Sequence, residues 1–337
     1  MNGHDRLASR PRRGGRAIGR ICLAVTAATT LLAPSIAPNP PTDRFSTLLN
    51  APPTRVHLRD AEGKWHAPFI HPWRRVSQLE QTYEEDRAVR VPLTWLSVGR
   101  LLSSRQPDLA PFLPLGADGL GRDVFSWLLH GARTSLGLAA LSALGALLLG
   151  AVIGATAGYR GGVVDDIVMR STDAVLVLPT MYVVMALRSV LPLVLPAGAI
   201  FGLLALLFAI IGAPTVARGV RGVVRSERSL DHVVAATSLG AGPARILFRH
   251  VLPAARGVVL VDAMVLVPGF LVAEATLSYV GYGFPDLVPS WGTMLHEAAS
   301  VRTFVDFPWL LAPALAIVFV ILGIHLTVDV TEPTAIS

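Results

Sequence analysis

The chain has few of the residues on which most catalytic and metal-binding chemistry depends. Cys22 is the only cysteine among 337 residues, which excludes an internal disulfide and a thiolate metal cluster. Arg20 stands just before it, where a lipid-attachment site needs small apolar residues. Lysine is almost missing as well: Lys64 is the only one. A phosphate-cradling P-loop requires Gly-Lys-Ser/Thr, and Gly63-Lys64-Trp65 does not supply it. An ordinary P-loop ATPase is therefore excluded, no cofactor is expected on this chain, and any ATP is to be hydrolysed by a partner. No Ser-His-Asp, His-Glu-x-x-His or Gly-x-Ser-x-Gly arrangement occurs either. His57, His66 and His71, near Asp60 and Glu62, come closest to a metal site. Solvated surface histidines are commoner than ligands, so no catalytic or metal-binding residue is assigned.

Charge is scarce too, at 15% of residues against 52% hydrophobic, and the mean hydropathy is +0.55. The charges are segregated, leaving uncharged runs long enough to cross a bilayer. A net charge of +6 then reflects arginine-rich loops of a polytopic protein rather than nucleic-acid binding.

Six spans are expected, over residues 21–37, 135–158, 171–191, 197–216, 257–279 and 308–328. The N-terminus, with its arginines, short apolar run and small-residue end, has the outline of a signal peptide. Pro38 directly after the small residues opposes cleavage, and the expectation is a retained first span. Six arginines precede that span, and Arg218, Arg221, Arg225, Arg228, Arg245, Arg249 and Arg256 crowd the loop between spans four and five. Both groups fall on one side, which the positive-inside rule makes cytosolic. The long polar stretch after span one then faces outward, since long loops translocate regardless of charge. Within it, residues 55–69 predict a β-hairpin turning at 60–63, and residues 78–87 suggest a short helix. Residues 120–133 place Val124, Phe125, Leu128 and Leu129 on one face, which predicts a separate amphipathic helix at the membrane surface. Gly150, Gly154 and Gly158 form a small-residue face suited to close helix packing.

The expected organisation is residues 1–38 as cytosolic N-terminus and first span, and 39–132 as extracytosolic insertion with its amphipathic helix. Residues 133–329 form the transmembrane domain with a cytosolic loop over 217–256, and 330–337 form a tail. Of the acidic groups in apolar surroundings, Asp173 reads as interfacial near Arg170. Asp262 and Glu274 lie inside span five without an evident partner, which makes them candidates for a transport path.

The segment DHVVAATSLGAGPARILFRHVLP, residues 231–253, is polar between two apolar runs. It predicts a helix, a glycine break at Gly240-Ala241-Gly242, and a second helix opened by Pro243 and ended by Pro253. It resembles the ATPase-coupling loop of ABC-importer permeases, whose pattern is Glu-Ala-Ala, three residues, Gly, and a later Leu-Pro. Ala235, Ala236, Gly240, Leu252 and Pro253 match, and Val234 stands where the family has Glu. Residues 115–135 resemble the signature that precedes the second helix in the dipeptide, oligopeptide and nickel branch of that family. Asp118, Gly121, Arg122, Asp123, Ser126, Gly131, Ala132 and Arg133 match it, while Ala117 and Trp127 depart from it. Ala273 to Gly281, Pro289-Ser290-Trp291-Gly292, and Gly158 to Gly162 with Asp165 resemble further family blocks, in the family's order.

The resemblance implies an all-α, six-helix type I permease in a bacterial plasma (inner) membrane, with both termini cytosolic. It implies a homologous second permease, two cytosolic ABC ATPases that use the ATP, an extracytosolic substrate-binding protein, surrounding lipid, and no nucleic acid. The implied cargo is di- or oligopeptides, with nickel or another small solute as the alternative. A membrane-anchored sensor acting through residues 39–132 is the reading from a different class.

Overall fold

The computed structural model describes residues 13–60, 62–77, 80–97, 99–190, 195–299 and 305–327. The chain divides into two compact units, one of residues 1–130 with 300–337 and one of residues 131–299.

In the first unit, helix α1 (Arg13–Leu31) and the short α2 (Ala33–Ile36) lead into an extended stretch. Helix α11 (Ala312–Thr327), entered through a 3-10 turn at Pro308–Leu311, packs along α1. The contact is close because both sides lack bulk: a Cβ on Gly19 would lie 2.6 Å from Thr327 Oγ1, and one on Gly323 would lie 3.1 Å from Cys22 Cβ.

The stretch between these helices is β-structure, which corrects the all-α expectation for this part of the chain. Strands β1 (His57–Arg59), β2 (Trp65–Ile70), β5 (Val91–Ser97) and β6 (Arg100–Ser104) form an antiparallel sheet in the order β1-β2-β5-β6. The hairpin expected over residues 55–69 is β1–β2, with His57 opposite Phe69. Val91 and Leu93 alternate inward and pack with Ile70 and Ala110, the period-2 pattern of a half-buried strand. Strands β3 (Trp73–Ser77) and β4 (Thr82–Glu85) pair only with each other. Strand β4 therefore stands inside the 78–87 stretch where a helix was expected, of which residues 78–79 lie outside the described residues. Residues Thr82 and Tyr83 favour strands, and Ser77 and Arg75 face them across the hairpin.

The remaining elements are helical. Helix α3 (Val124–Arg160) runs 37 residues without a break, roughly 55 Å at helical rise. The separate amphipathic helix expected over 120–133 is therefore not formed, because no proline interrupts the chain after Val124 and the helix simply continues. Helix α4 (Gly162–Val177) stops at Leu178, whose ψ of 122° is extended, and α5 (Thr180–Val190) begins beyond Pro179 at a bend of 80°. Proline pushes the residue before it out of the helical region and lacks the N–H that would carry the helix on. The third expected span is thus broken. Helix α6 (Ala197–Glu227) extends well past Val216, so the first third of the expected loop 217–256 is helix. Its buried residues Ala213, Ala217, Val220 and Val224 keep the three- and four-residue spacing of one helix face. The glycine face of α3 meets α6: a Cβ on Gly154 would stand 2.3 Å from the Ala217 carbonyl oxygen.

Helix α7 (Asp231–Ser238), α8 (Pro243–Ile246), a π turn (Leu247–Val251) and a 3-10 turn (Leu252–Ala255) lead into α9 (Arg256–Tyr279), and α10 (Trp291–Glu297) follows. Four of the described helices or joined stretches are long and apolar enough to cross a membrane: Val124–Arg160, Ala197–Glu227, Leu252–Tyr279 and Pro308–Thr327. The bent pair makes a fifth if it counts as one span, and α1 is not among them.

Candidate functional site

The elbow over residues 231–253 is built by its glycine. Gly240 has φ +82°, and its N–H bonds the Thr237 carbonyl at 3.0 Å while the Ala241 N–H bonds Ala236 at 3.1 Å. This bond pair is the Schellman arrangement, in which a left-handed residue closes a helix C-terminus. A new helical turn then opens at Pro243, where the missing N–H costs no helical bond. Pro253 does not end the second helix, contrary to expectation. The wide π turn before it absorbs the lost hydrogen bond, and the backbone continues through the 3-10 turn into α9.

Val233, Ile246, Val251 and Ala255 turn inward and pack on Val216, Val220, Val224 and Ala155. The outward side carries apolar residues with nothing over them: Leu239 is 89% exposed, Phe248 68% and Val234 52%. Ala235, Gly240 and Pro253 are exposed as well, and Ala236 and Leu252 are half-buried. The five residues expected to carry coupling therefore share one elbow. A groove of about 370 Å³ lies against it, lined by Tyr159, Arg160, Arg228, Val234, Thr237 and Ile246 among others. Arg228 donates to the Tyr159 carbonyl at its rim.

Helix α4 is tied to α6 by charge. Arg221 grips Asp165 through two nitrogens, with Arg225 3.8 Å from the same carboxylate, and Arg218 pairs with Asp173. Asp173 thus has a specific partner on another helix.

The two path candidates separate. Glu274 is fully buried and accepts from Ser135 Oγ at 2.7 Å and Ser278 Oγ at 2.8 Å. Ser135 Oγ in turn accepts the Trp291 N–H at 3.0 Å, and Ser278 Oγ accepts the Phe284 N–H at 3.2 Å. The expectation that Glu274 lacks a partner in its own chain is therefore corrected. Its carboxylate joins α3, α9 and the start of α10, where Ser290 and Thr293 form a capping box. Sequence reading did not single out Ser135, Ser278 or Ser290. Their placement inside three separate family-like blocks was the available signal. Asp262 keeps one buried carboxylate oxygen, Oδ2, without a hydrogen-bond partner, facing Gly219 of α6.

The signature before α3 is a structural knot in the first unit. Asp118 Oδ1 accepts the backbone N–H groups of Leu120 and Arg122, each at 2.9 Å, and Oδ2 accepts Arg122 Nε at 2.5 Å. Gly121 has φ +73°, and a Cβ there would stand 2.3 Å from the Phe45 carbonyl oxygen. Arg122 is 1% exposed and stacks 3.8 Å over the Trp127 ring, so the residue that departs from the family pattern supplies a cation–π platform. Asp123 accepts the Phe125 N–H, the Asn39 side chain and the Ser126 hydroxyl. Burial nevertheless pushes its carboxyl up to about 6, against the hydrogen bonds that favour the charged form. Arg133, in the second unit, is exposed.

Two of the three histidines come together, the His57 and His71 rings lying 5.0 Å apart, but each of the three has its own polar partner. His57 faces Glu85 at 3.3 Å, His66 faces Asp60 at 2.9 Å, and His71 bonds the Val89 carbonyl at 2.7 Å. Among the described residues no group of three His, Cys, Asp or Glu side chains is arranged to hold a metal ion.

Apolar helices of bilayer length, one of them broken, and an exposed elbow seated on the buried end of α6 define a multi-pass membrane transport subunit. The chain belongs to the family described as binding-protein-dependent transport system inner membrane component, which matches residues 150–333, and so to the permeases of ABC importers. It is 37% identical over 217 residues to the oligopeptide transport system permease protein OppC of Bacillus subtilis, covering 64% of this chain and 68% of that one. The OppC of Lactococcus lactis subsp. cremoris is 32% identical over 207 residues, covering 61% and 69%. The glutathione transport system permease protein GsiD of Pectobacterium atrosepticum is 33% identical over 215 residues, covering 64% and 69%.

Proposed function

We propose that this chain is half of the translocation pore of an ATP-driven importer of di- and oligopeptides. In this reading it has six spans, both termini are cytosolic, and residues 39–132 are displayed outside. A homologous permease supplies the other half. Two ABC ATPases bind the elbows, and an extracytosolic binding protein delivers the cargo. The peptide cargo is supported by relatives whose names specify oligopeptide and glutathione transport.

The observation that carries the reading is the elbow itself. It exposes Leu239 and Phe248 to an outside partner, while Val233, Ile246 and Val251 press on the end of α6. A push on the first group is transmitted to the second because a packed core resists compression. Alternating access needs an element whose contacts differ between two states, and this elbow is suited to that task. Asp262, with its unpaired oxygen, is the remaining candidate for a polar group on the path, whereas Glu274 is a packing node.

The test is purification of the tagged chain in mild detergent, followed by peptide uptake in reconstituted vesicles. The expected result is co-isolation of an ATPase and a second permease, with uptake that requires both ATP and a binding protein. A chain that remains a stable monomer and supports no uptake would overturn the reading.

A further inference from the structure

A further polar cleft lies in the first unit. It measures about 680 Å³ and is lined by Pro52, Arg55, Trp73, Tyr83, Glu84 and Arg87 among others, a size within the range of small-molecule and peptide sites, about 300–1,000 Å³. Two features distinguish it from an ordinary surface hollow.

The first is its charge. Arg55, Glu84 and Arg87 line the wall and, among the described residues, make no ion pair or side-chain hydrogen bond. Neighbouring charges are committed, as Glu85 is to His57. Both signs are thus presented without an ion pair, although Arg74 stands opposite Glu84 across the hairpin, over a floor of proline and aromatic rings. That pattern suits a ligand with a cationic end, an anionic end and an apolar middle.

The second is its backbone. Tyr83, Glu84 and Glu85 all line the cleft, although successive strand residues point to opposite faces. A wall made of three consecutive residues is the edge of the strand. Among the described residues strand β4 pairs only with β3, so that edge offers N–H and C=O groups unpaired within them, as in recognition by strand addition. Pro52 and Pro53 opposite cannot donate to it, because proline has no N–H.

We propose that this cleft binds short peptides with free termini. The peptide lies extended along the β4 edge, Glu84 receives the ammonium end, and Arg87 with Arg55 receives the carboxylate end. This is a site on the first unit of the permease itself, and it stands or falls independently of what the pore carries.

The experiment uses the full-length protein in lipid nanodiscs and a tetrapeptide whose third residue is a photoreactive diazirine phenylalanine. The peptide is used with free ends and in an N-acetylated, C-amidated form. Mapping by mass spectrometry should find saturable labelling within residues 52–55 and 82–87, weakened at least tenfold when both ends are blocked. Arg87→Gln should abolish the preference for a free over an amidated C-terminus and leave the preference at the other end. Glu84→Gln should do the reverse. Both residues are exposed, so neither variant disturbs the core. Labelling that does not saturate, or that is equal for blocked and free peptides, would overturn the proposal. The second of these would show that the cleft does not read peptide termini. Uptake of the same peptide is read separately: uptake with an unlabelled cleft removes this site and leaves the transport reading, while labelling without uptake does the opposite.

Discussion

Ser135 and Glu274, 139 positions apart in the chain, share a buried hydrogen bond of 2.7 Å. The same serine oxygen accepts the backbone N–H of Trp291, so one hydroxyl joins three segments. Ser135→Ala removes the hydroxyl that accepts the Trp291 N–H and donates to Glu274. The expected loss is about 1–3 kcal/mol, seen as a lower midpoint of thermal unfolding in mild detergent. Glu274→Gln keeps the shape and one acceptor oxygen, so transport should fall only in proportion to the folded fraction. A folded Glu274→Gln protein with no transport would restore Glu274 to the path.

The left-handed backbone at Gly240 sets the angle of the elbow. A side chain there is strained by roughly 1–2 kcal/mol, although nothing within 4 Å obstructs it. Gly240→Val should therefore insert and fold while failing to retain an ATPase through purification. Unchanged ATPase retention and unchanged uptake would show that the angle does not matter.

Close approach of α3 and α6 depends on Gly154. Gly154→Ala forces a Cβ to within 2.3 Å of the Ala217 carbonyl oxygen, and overpacking of this kind costs about 1–3 kcal/mol. Gly202→Ala, on α6 with nothing within 4 Å, should be neutral or slightly stabilising. Equal unfolding midpoints for the two variants would contradict this account of the packing.

Asp123 gives the first unit a pH dependence of definite sign. Its folded value of about 6 stands above the ordinary 3.8, so the folded protein holds this proton more tightly than the unfolded chain. The group favours folding most at a pH below about 4, and that contribution is lost as the pH rises through about 6. The full span is on the order of 3 kcal/mol. Denaturant titrations from pH 4 to 7 should show stability falling more steeply with pH in the wild type than in Asp123→Asn. Identical slopes would remove Asp123 as the cause.

Arg122, 1% exposed, is held by Asp118 and by the Trp127 ring. Asp118→Ala removes the carboxylate that bonds Arg122 Nε and the Leu120 and Arg122 backbone N–H groups, a loss of about 3–5 kcal/mol for breaking a buried ion pair. Trp127→Phe keeps a ring beneath the cation but loses the indole N–H bond to the Pro41 carbonyl, 2.9 Å in the wild type. It should cost less, and expression and thermal unfolding of both variants measure the order.

Much of this was legible from local chemistry. The β1–β2 hairpin follows from strand-forming residues around a turn, and the elbow follows from Gly240 and Pro243, because glycine and proline restrict the backbone wherever they occur. The breadth of the apolar segments was legible for the same reason: a bilayer selects on composition and length alone. What was misread lies where a local signal competes with a longer-range one. Pro179 breaks a run that hydropathy alone joins, and Pro253 fails to break one because a π turn compensates. Val220 and Val224 carry α6 through a stretch whose arginines suggested a loop.

The sequence by itself determined the class of the molecule, its apolar helices and its elbow, since each rests on neighbouring residues and on the backbone limits they impose. Only the tertiary structure decided which polar groups are satisfied. Ser135 meets Glu274 and Arg221 meets Asp165, while among the described residues Arg55, Glu84 and Arg87 make no ion pair. Hydrogen bonds and ion pairs act over a few ångströms, and only folding brings together partners that lie tens to hundreds of positions apart.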